Sequence, residues 1–239
     1  MQSKFFPDKI VMPAKIKSKR EVAKRTMFFE YDLLGEKVDF KSGQYFHVAI
    51  AQGLKHHFTI VNSPNEKGIM THATRMRDSE FKNKLRDLPV GADVEVYKIK
   101  GEFVLPEDRL KPLVFIALGI GITPYISMLR FIREEKLNFK ITLIYSDSDK
   151  ESLAFLQELE KYKEDNPNFR LILTITGDES RTGEKRHVDE NFIKDYFDNP
   201  ADFLYYVSGP PKAVEAVAIS LEKAGIDKSN IKAENFTGY

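Results

Sequence analysis

Leu113-Val-Phe-Ile-Ala-Leu-Gly-Ile-Gly-Ile-Thr-Pro124 decides how the rest of the chain is read. Its first six residues are apolar without alternation, as a parallel strand covered on both faces requires. Two glycines end the run, and a helical pattern follows from about Pro124 to Glu134, with the proline in the first turn, where its missing N–H costs nothing. Strand, glycine turn and helix in that order open a doubly wound layer. The pattern repeats downstream: strand runs at Ile141 to Tyr145, Leu171 to Ile175, Leu204 to Val207 and Ile231 to Phe236 alternate with helical stretches at Glu151 to Lys161, Asp189 to Phe197 and Pro211 to Lys223. Five strands and four alternating helices predict a parallel sheet.

Upstream the texture differs. Short β-type runs at Val11 to Ser18, Arg25 to Leu33, Gln44 to Ile50, His57 to Val61, Ile69 to Arg75 and Asp93 to Ile99 are separated by turn residues, which predicts an antiparallel barrel or sandwich. One helix interrupts them, from Ser79 to Leu88, with Phe81, Leu85 and Leu88 at helical spacing and Asp78 or Ser79 as its cap. Charged residues surround Pro106 and Pro112 and mark a linker. The chain of 239 residues therefore divides into a β-rich domain, 1–108, and an α/β domain, 109–239, each long enough to bury its own core.

Lys plus Arg number 37 and Asp plus Glu 36, so a net charge of +1 provides no global field toward nucleic acid or an anionic membrane. No basic stripe with interleaved aromatics supports a nucleic-acid binder. Zero cysteines exclude disulfides, thiol catalysis and cysteine-held clusters or zinc within these residues. Adjacent His56 and His57 point to opposite faces of a strand, so no metal site is expected. Pro7, Asp8 and Pro13 break the start of the sequence before a signal-length apolar run develops, and no later run has transmembrane length, so a cytoplasmic location is expected.

Gly119 and Gly121 at a strand-to-helix junction would let a pyrophosphate reach backbone amides at the positive end of a helix. Two glycines by themselves fit a plain turn equally well; the strand before and the helix after favour the nucleotide. Ser208-Gly-Pro-Pro211 occupies the matching place after the fourth parallel strand, although Gly-Pro-Pro is also ordinary turn chemistry. In the β-rich half, His56-His-Phe-Thr-Ile-Val-Asn-Ser-Pro64 combines aromatic, hydroxyl and basic groups. Thr74, Arg75, Arg77 and Ser79 put cations and hydroxyls just before a helix, an anion site or a solvated turn.

Taken in chain order, these four motifs and the acidic-aromatic segment Glu234-Asn-Phe236-Thr-Gly-Tyr239 resemble the ferredoxin-NADP reductase superfamily, and within it bacterial flavin-dependent oxidoreductases. The resemblance rests on His56 to Thr59, Arg75 to Ser79, Gly119 to Pro124, Ser208 to Pro211 and Glu234 to Tyr239, and spans nearly the whole chain. It implies an FAD-binding barrel, FAD being preferred to FMN, followed by a domain for NADH or NADPH. Phe58 would lie against the isoalloxazine, Thr59 would bring its hydroxyl to flavin N5, and His72 to Thr74 would border the ring. Arg75 and Ser79 would hold the flavin phosphates, with His56 among the cofactor-binding residues. Gly119, Gly121, Thr123 and Pro124, with Ser208, Gly209 and Pro210, would receive the nicotinamide nucleotide. Thr59, Ser208 and Glu234 would act at the hydride-transfer site, in a crevice where the two halves meet, and Phe236 would cover the flavin until nicotinamide displaces it.

Two positions depart from the family pattern. His56 replaces the usual Arg, a weaker, pH-dependent cation without a bidentate fork, and Ser208 replaces the usual Cys. At Tyr145-Ser-Asp-Ser-Asp149, where a 2′-phosphate or ribose would lie, Asp147 and Asp149 repel phosphate and accept from ribose hydroxyls, which favours NADH; Lys150 and Arg181 remain as phosphate partners. The resemblance implies a redox protein as electron acceptor: ferredoxin, flavodoxin or an oxygenase component. The alternatives are a reductase of free flavin, ferric chelate or quinone, and a regulatory subunit that keeps the fold without turnover.

Overall fold

A computed structural model describes residues 11–108, 110–177 and 183–236. The chain forms two units, 1–105 with 123–135, and 106–122 with 136–239.

The first unit contains β1 (Met12–Ala23), β2 (Thr26–Asp32), β3 (Tyr45–Ala51), β4 (Leu54–Thr59), β5 (Ile69–Arg75), α1 (Glu80–Asp87) and β6 (Asp93–Lys100), together with α2 (Thr123–Glu134). Its strands make an antiparallel sheet in the order β4-β3-β6-β1-β2-β5, curled so that edge strands β4 and β5 approach each other as in a barrel. Inward alternation supplies the core, including Phe29, Tyr31, Phe46, Val48, Phe58, Ile60 and Met70. Asn62 helps to close the gap between β4 and β5. The Val61 N–H donates to the Thr71 carbonyl at 3.0 Å, and Asn62 Oδ1 accepts from the Thr71 N–H and hydroxyl at 2.9 and 3.2 Å. Its Nδ2 donates to the carbonyls of Ser63, Glu66 and Ile69, pinning the connecting turn.

The same turn holds α2. Ser127 Oγ donates to the Asn62 carbonyl at 2.8 Å, Arg130 donates to that of Val61, and Glu134 and Glu135 accept from Ser63 and Asn65. Gly43, at φ +95, has a Cβ direction that points within 2.0 Å of the Phe103 carbonyl and 2.6 Å of Met128, so a larger residue there would push α2 away.

The second unit contains β7 (Leu113–Leu118), β8 (Ile141–Asp147), α3 (Leu156–Asp165), β9 (Phe169–Ile175), α4 (Glu190–Tyr196), β10 (Leu204–Gly209), α5 (Pro211–Lys223) and β11 (Ile231–Asn235). The strands are all parallel, in the order β11-β10-β7-β8-β9. Every residue of β7 is buried, which accounts for its unbroken apolar run.

β9 begins two residues early, at Phe169, and two elements begin further from their expected places. The helix expected from Glu151 starts at Leu156, because Asp149 caps a separate 3-10 turn and Phe155 takes a left-handed backbone at φ 62 that a helix cannot pass through. The strand expected from His57 starts at Leu54, since the turn at Gln52 and Gly53 lets β4 pair with β3 at once. Among the described residues no helix is long and apolar enough to cross a membrane.

Candidate functional site

In the second unit, parallel strands bring their C-terminal ends to one edge. The chain runs from β7 to β8 and β9 on one side, then returns to β10 and β11 on the other, so strand order reverses between β7 and β10. Open α/β sheets bind ligands beyond such a reversal. Gly119–Ile122 forms a 3-10 turn there, with Gly119 at φ 59, and buried Thr123 and Pro124 open the helix that follows.

The glycines of the two loops at this edge admit each other. A Cβ on Gly121 would lie 2.1 Å from the Ser208 carbonyl oxygen, and one on Gly209, at φ +150, would lie 2.7 Å from Leu118. The buried Ser208 hydroxyl donates to the Gly121 carbonyl at 2.6 Å. Sequence reasoning gave Gly121 the role of admitting a pyrophosphate; in the structure its Cβ direction is filled by the neighbouring backbone, and what it permits is the close approach of the loops. Ser208, expected beside the reactive nicotinamide, spends its proton on fastening them. Pro210 caps α5 and is half-buried.

Ser208 stands opposite Glu234 on adjacent strands, and the Phe236 N–H donates to the Gly209 carbonyl at 2.8 Å, so the C-terminal segment joins the same edge. One Glu234 carboxylate oxygen is buried without a hydrogen-bond partner. Burial pushes its pKa up to about 8, so the carboxyl keeps its proton at neutral pH. Residues 237–239 of that motif lie outside the described residues.

At the end of β8, Asp147 accepts from the Ser148 N–H at 2.8 Å and Asp149 accepts from the Ser152 N–H at 2.9 Å. Both acids are thus held at the edge by their own backbone. The exposed Lys150 opens the 3-10 turn that follows, while Arg181 lies outside the described residues.

In the first unit, the sequence-predicted residues gather where β4, β5 and the start of α1 converge. Phe58 is only 7% exposed. His72 stacks on it with ring centroids 3.8 Å apart and planes 12° from parallel, and His56 stacks at 4.9 Å. Thr59 and Thr74 are buried nearby in their strands. His72 is fully buried with both ring nitrogens lacking hydrogen-bond partners, and burial, with the charges of His56 and Lys82, holds its pKa well below the usual value. Such unmet hydrogen-bonding capacity in a neutral ring costs about 1–3 kcal/mol.

Ser79 caps α1, its hydroxyl accepting from the Lys82 N–H, and Arg75 ends β5. Lys82 Nζ donates to the Arg75 carbonyl at 3.0 Å and feels the charge of Arg77, so these two cations stand at the capped start of α1. Lys82 was not among the sequence-predicted residues. Its spacing from Leu85 did carry a signal, since it puts a lysine on the apolar stripe of a short helix. Asn62 carried a weaker one: within Asn-Ser-Pro it reads as a turn residue, and its place in closing the barrel depends on Thr71, nine positions away.

Residues 115–218 match the family model described as an oxidoreductase NAD-binding domain. Reductase component 1 of terephthalate 1,2-dioxygenase from Comamonas sp is 26% identical over 206 residues, covering 85% of this chain and 61% of the relative. A component of the Na(+)-translocating NADH-quinone reductase of Pseudomonas aeruginosa is 27% identical over 198 residues, 76% of this chain and 48% of the relative. The chain thus spans about half to three fifths of the length of these relatives. Among solved structures, the flavohem-like FAD/NAD-binding domain of nitric oxide dioxygenase from Vibrio cholerae superposes with a TM-score of 0.84 at 18% identity, over 94% of this chain and 98% of that one, and so shares its fold. An antiparallel barrel-like sheet, a parallel sheet with glycine loops at its reversal point and, over residues 115–218, a match to an oxidoreductase NAD-binding domain are what the chain has in common with these proteins.

Proposed function

We propose that this chain is an FAD-dependent NAD(P)H oxidoreductase that passes electrons from a nicotinamide nucleotide to a separate redox protein. The observation that carries the reading is the meeting of Gly119–Gly121, Ser208–Gly209 and Glu234 at one edge of the parallel sheet, within and beside the segment that matches an oxidoreductase NAD-binding domain. Residues 1–108 are assigned to FAD and 109–239 to the nucleotide.

When bound, a flavin supplies the redox chemistry, taking up a hydride and releasing electrons singly. The protein supplies orientation and electrostatics. Arg75, Ser79 and the start of α1 hold the phosphates, His72 and Thr74 border the ring, and Phe58 and Thr59 serve its redox-active part. Gly119, Gly121, Thr123 and Pro124 shape the nucleotide's seat, and the Ser208 bond to Gly121 keeps both halves of that seat in register. Glu234 offers a proton-bearing carboxyl beside Ser208, a hydrogen-bond donor toward the nucleotide where an ionised carboxylate would only accept.

NADH is the assigned reductant, supported by Asp147 and Asp149 at the end of β8, which disfavour a 2′-phosphate. The proposed acceptor is an oxygenase component or a ferredoxin-like carrier, in line with the dioxygenase reductase among the relatives. Any cysteine-held iron-sulfur relay must lie outside these 239 residues, which contain no cysteine. A quinone acceptor is the second reading, favoured by the likeness to the NADH-quinone reductase component.

Anaerobic absorbance titration with NADH, and separately with NADPH, tests the proposal. The flavin band should bleach with either and at lower concentration with NADH. A colourless protein that takes up neither FAD nor FMN on reconstitution would end the reading. A flavin retained but unbleached by both nucleotides would instead favour a regulatory role.

A further inference from the structure

We propose that Ser127 and Arg130 of α2 are positioning residues for hydride transfer, which hold the helix that opens the nucleotide's seat in register on the strand that carries Phe58 and Thr59. The inference rests on the oxidoreductase reading above and extends it to residues that act through their neighbours.

α2 follows the glycine turn in sequence, yet its contacts group Thr123–Glu135 with the barrel. Polar bonds seat it there. Ser127 Oγ donates to the Asn62 carbonyl at 2.8 Å, Arg130 Nη1 donates to the Val61 carbonyl at 3.2 Å, Glu134 accepts from the Ser63 hydroxyl, and Glu135 accepts from Asn65 Nδ2 at 2.7 Å. Positions 127, 130 and 134 are three and four residues apart and so share one face of the helix. Their partners follow closely on β4. Because one helix face is bonded to one short stretch of chain, sliding α2 along its axis by a single residue, about 1.5 Å, would break these bonds together.

Position, more than stability, is what such a seam provides. A helical serine has the carbonyl four residues back within reach of its hydroxyl, but the fully buried Ser127 turns instead to the barrel. Val61 and Asn62 are fully buried as well, and the Val61 N–H is committed to the Thr71 carbonyl, so the α2 bonds satisfy the opposite side of a stretch already tied to β5. Apolar contact also presses α2 on the barrel, as between the rings of Tyr125 and Phe103, 5.9 Å apart, but such contact is non-directional. Hydrogen bonds are directional and set register.

The path through the seam is short. Thr123 lies one helical turn before Ser127, and Thr59 lies three residues before Asn62. In the proposed reaction a hydride leaves nicotinamide C4 with both electrons of the broken bond and joins flavin N5. That transfer tolerates little misplacement, since about 1 Å costs about 100-fold in rate.

The test follows anaerobic stopped-flow reduction of the FAD-reconstituted full chain by NADH, for wild type, Ser127→Ala, Arg130→Met, Arg130→Lys and Val217→Ala. Val217 lies in the core of the α/β unit, so its truncation controls for lost stability. Ser127→Ala and Arg130→Met are expected to lower the limiting rate by about 10- to 100-fold, with dissociation constants for NADH and FAD changed by less than about 3-fold. Deuterium at nicotinamide C4 should slow what remains. Arg130→Lys keeps a donor for the Val61 carbonyl and should recover most of the rate. A second readout needs no flavin: amide NMR of the flavin-free chain titrated with ADP-ribose, which carries the pyrophosphate and no nicotinamide. Wild type should shift at Val61 and Asn62 as well as at Thr123, and Ser127→Ala should keep the shift at Thr123 and lose the others. Limiting rates within about 2-fold of wild type in both variants, an equal fall in Val217→Ala, a fall due wholly to weaker nucleotide binding, or wild-type shifts confined to α2 would overturn the inference and leave the oxidoreductase reading standing. A wild-type flavin that NADH does not reduce overturns both.

Discussion

Replacing Glu234 by Gln removes a titration and leaves the shape. In the folded chain one oxygen of this carboxyl is buried without a partner, and burial raises the pKa from 4.5 to about 8. Below the unfolded-state value both states carry the proton and the site costs nothing. As pH rises the unfolded chain releases its proton first, so stability falls steadily until the folded carboxyl also ionises near pH 8, and is level beyond that. Complete burial would make the total loss about 5 kcal/mol; the side chain keeps an exposed edge, which reduces it to about 2–3 kcal/mol. Gln is neutral throughout and nearly isosteric. Urea unfolding followed by circular dichroism should find wild type and Glu234→Gln alike near about pH 4, and the variant more stable by about 2–3 kcal/mol near about pH 9. Carboxyl-carbon NMR of the folded chain gives the pKa directly. A stability difference that is the same at both ends of the range, or a carboxyl that titrates near its ordinary value, would refute the reasoning.

Gly121→Ala should force apart the loops after β7 and β10, because the new Cβ meets the Ser208 carbonyl at 2.1 Å; a stability loss of about 2 kcal/mol and at least about a 10-fold rise in the nicotinamide nucleotide's dissociation constant are expected, with flavin content unaltered, as read by calorimetry and absorbance. Ser208→Ala removes the 2.6 Å bond to the Gly121 carbonyl and should cost about 1–2 kcal/mol; denaturant unfolding that matches wild type would remove the fastening role. Asn62→Ala strips the side-chain bonds to Thr71 and to the turn before β5, leaving the Val61 backbone bond to Thr71, so a loss of about 3 kcal/mol is expected by urea unfolding, with faster amide exchange at Thr71 as the local signature.

Periodicity made most of the architecture legible in the sequence. An unbroken apolar run such as Leu113 to Leu118 has no solvent face and so must lie inside a covered parallel sheet, while the short alternating runs before it can bury only one face each. The start of α3 was not legible, because the left-handed backbone at Phe155 leaves no mark in residue type. The motifs of the site were visible too, since glycines, a capping serine and a carboxyl can be named from spacing. Their uses were not. That Gly121 makes room for the Ser208 backbone, that the Ser208 proton goes to the Gly121 carbonyl, and that Glu234 sits beside them depends on strands brought together from positions about 90 and 115 residues apart. The charge of a site is likewise a tertiary property: Lys82 and His56 are both basic by composition, but burial and neighbouring charges leave one a cation and the other neutral at pH 7. Local sequence sets which elements form, because backbone propensity and hydrophobic period are local quantities; dielectric, hydrogen-bond pairing and close approach exist only once distant segments have packed.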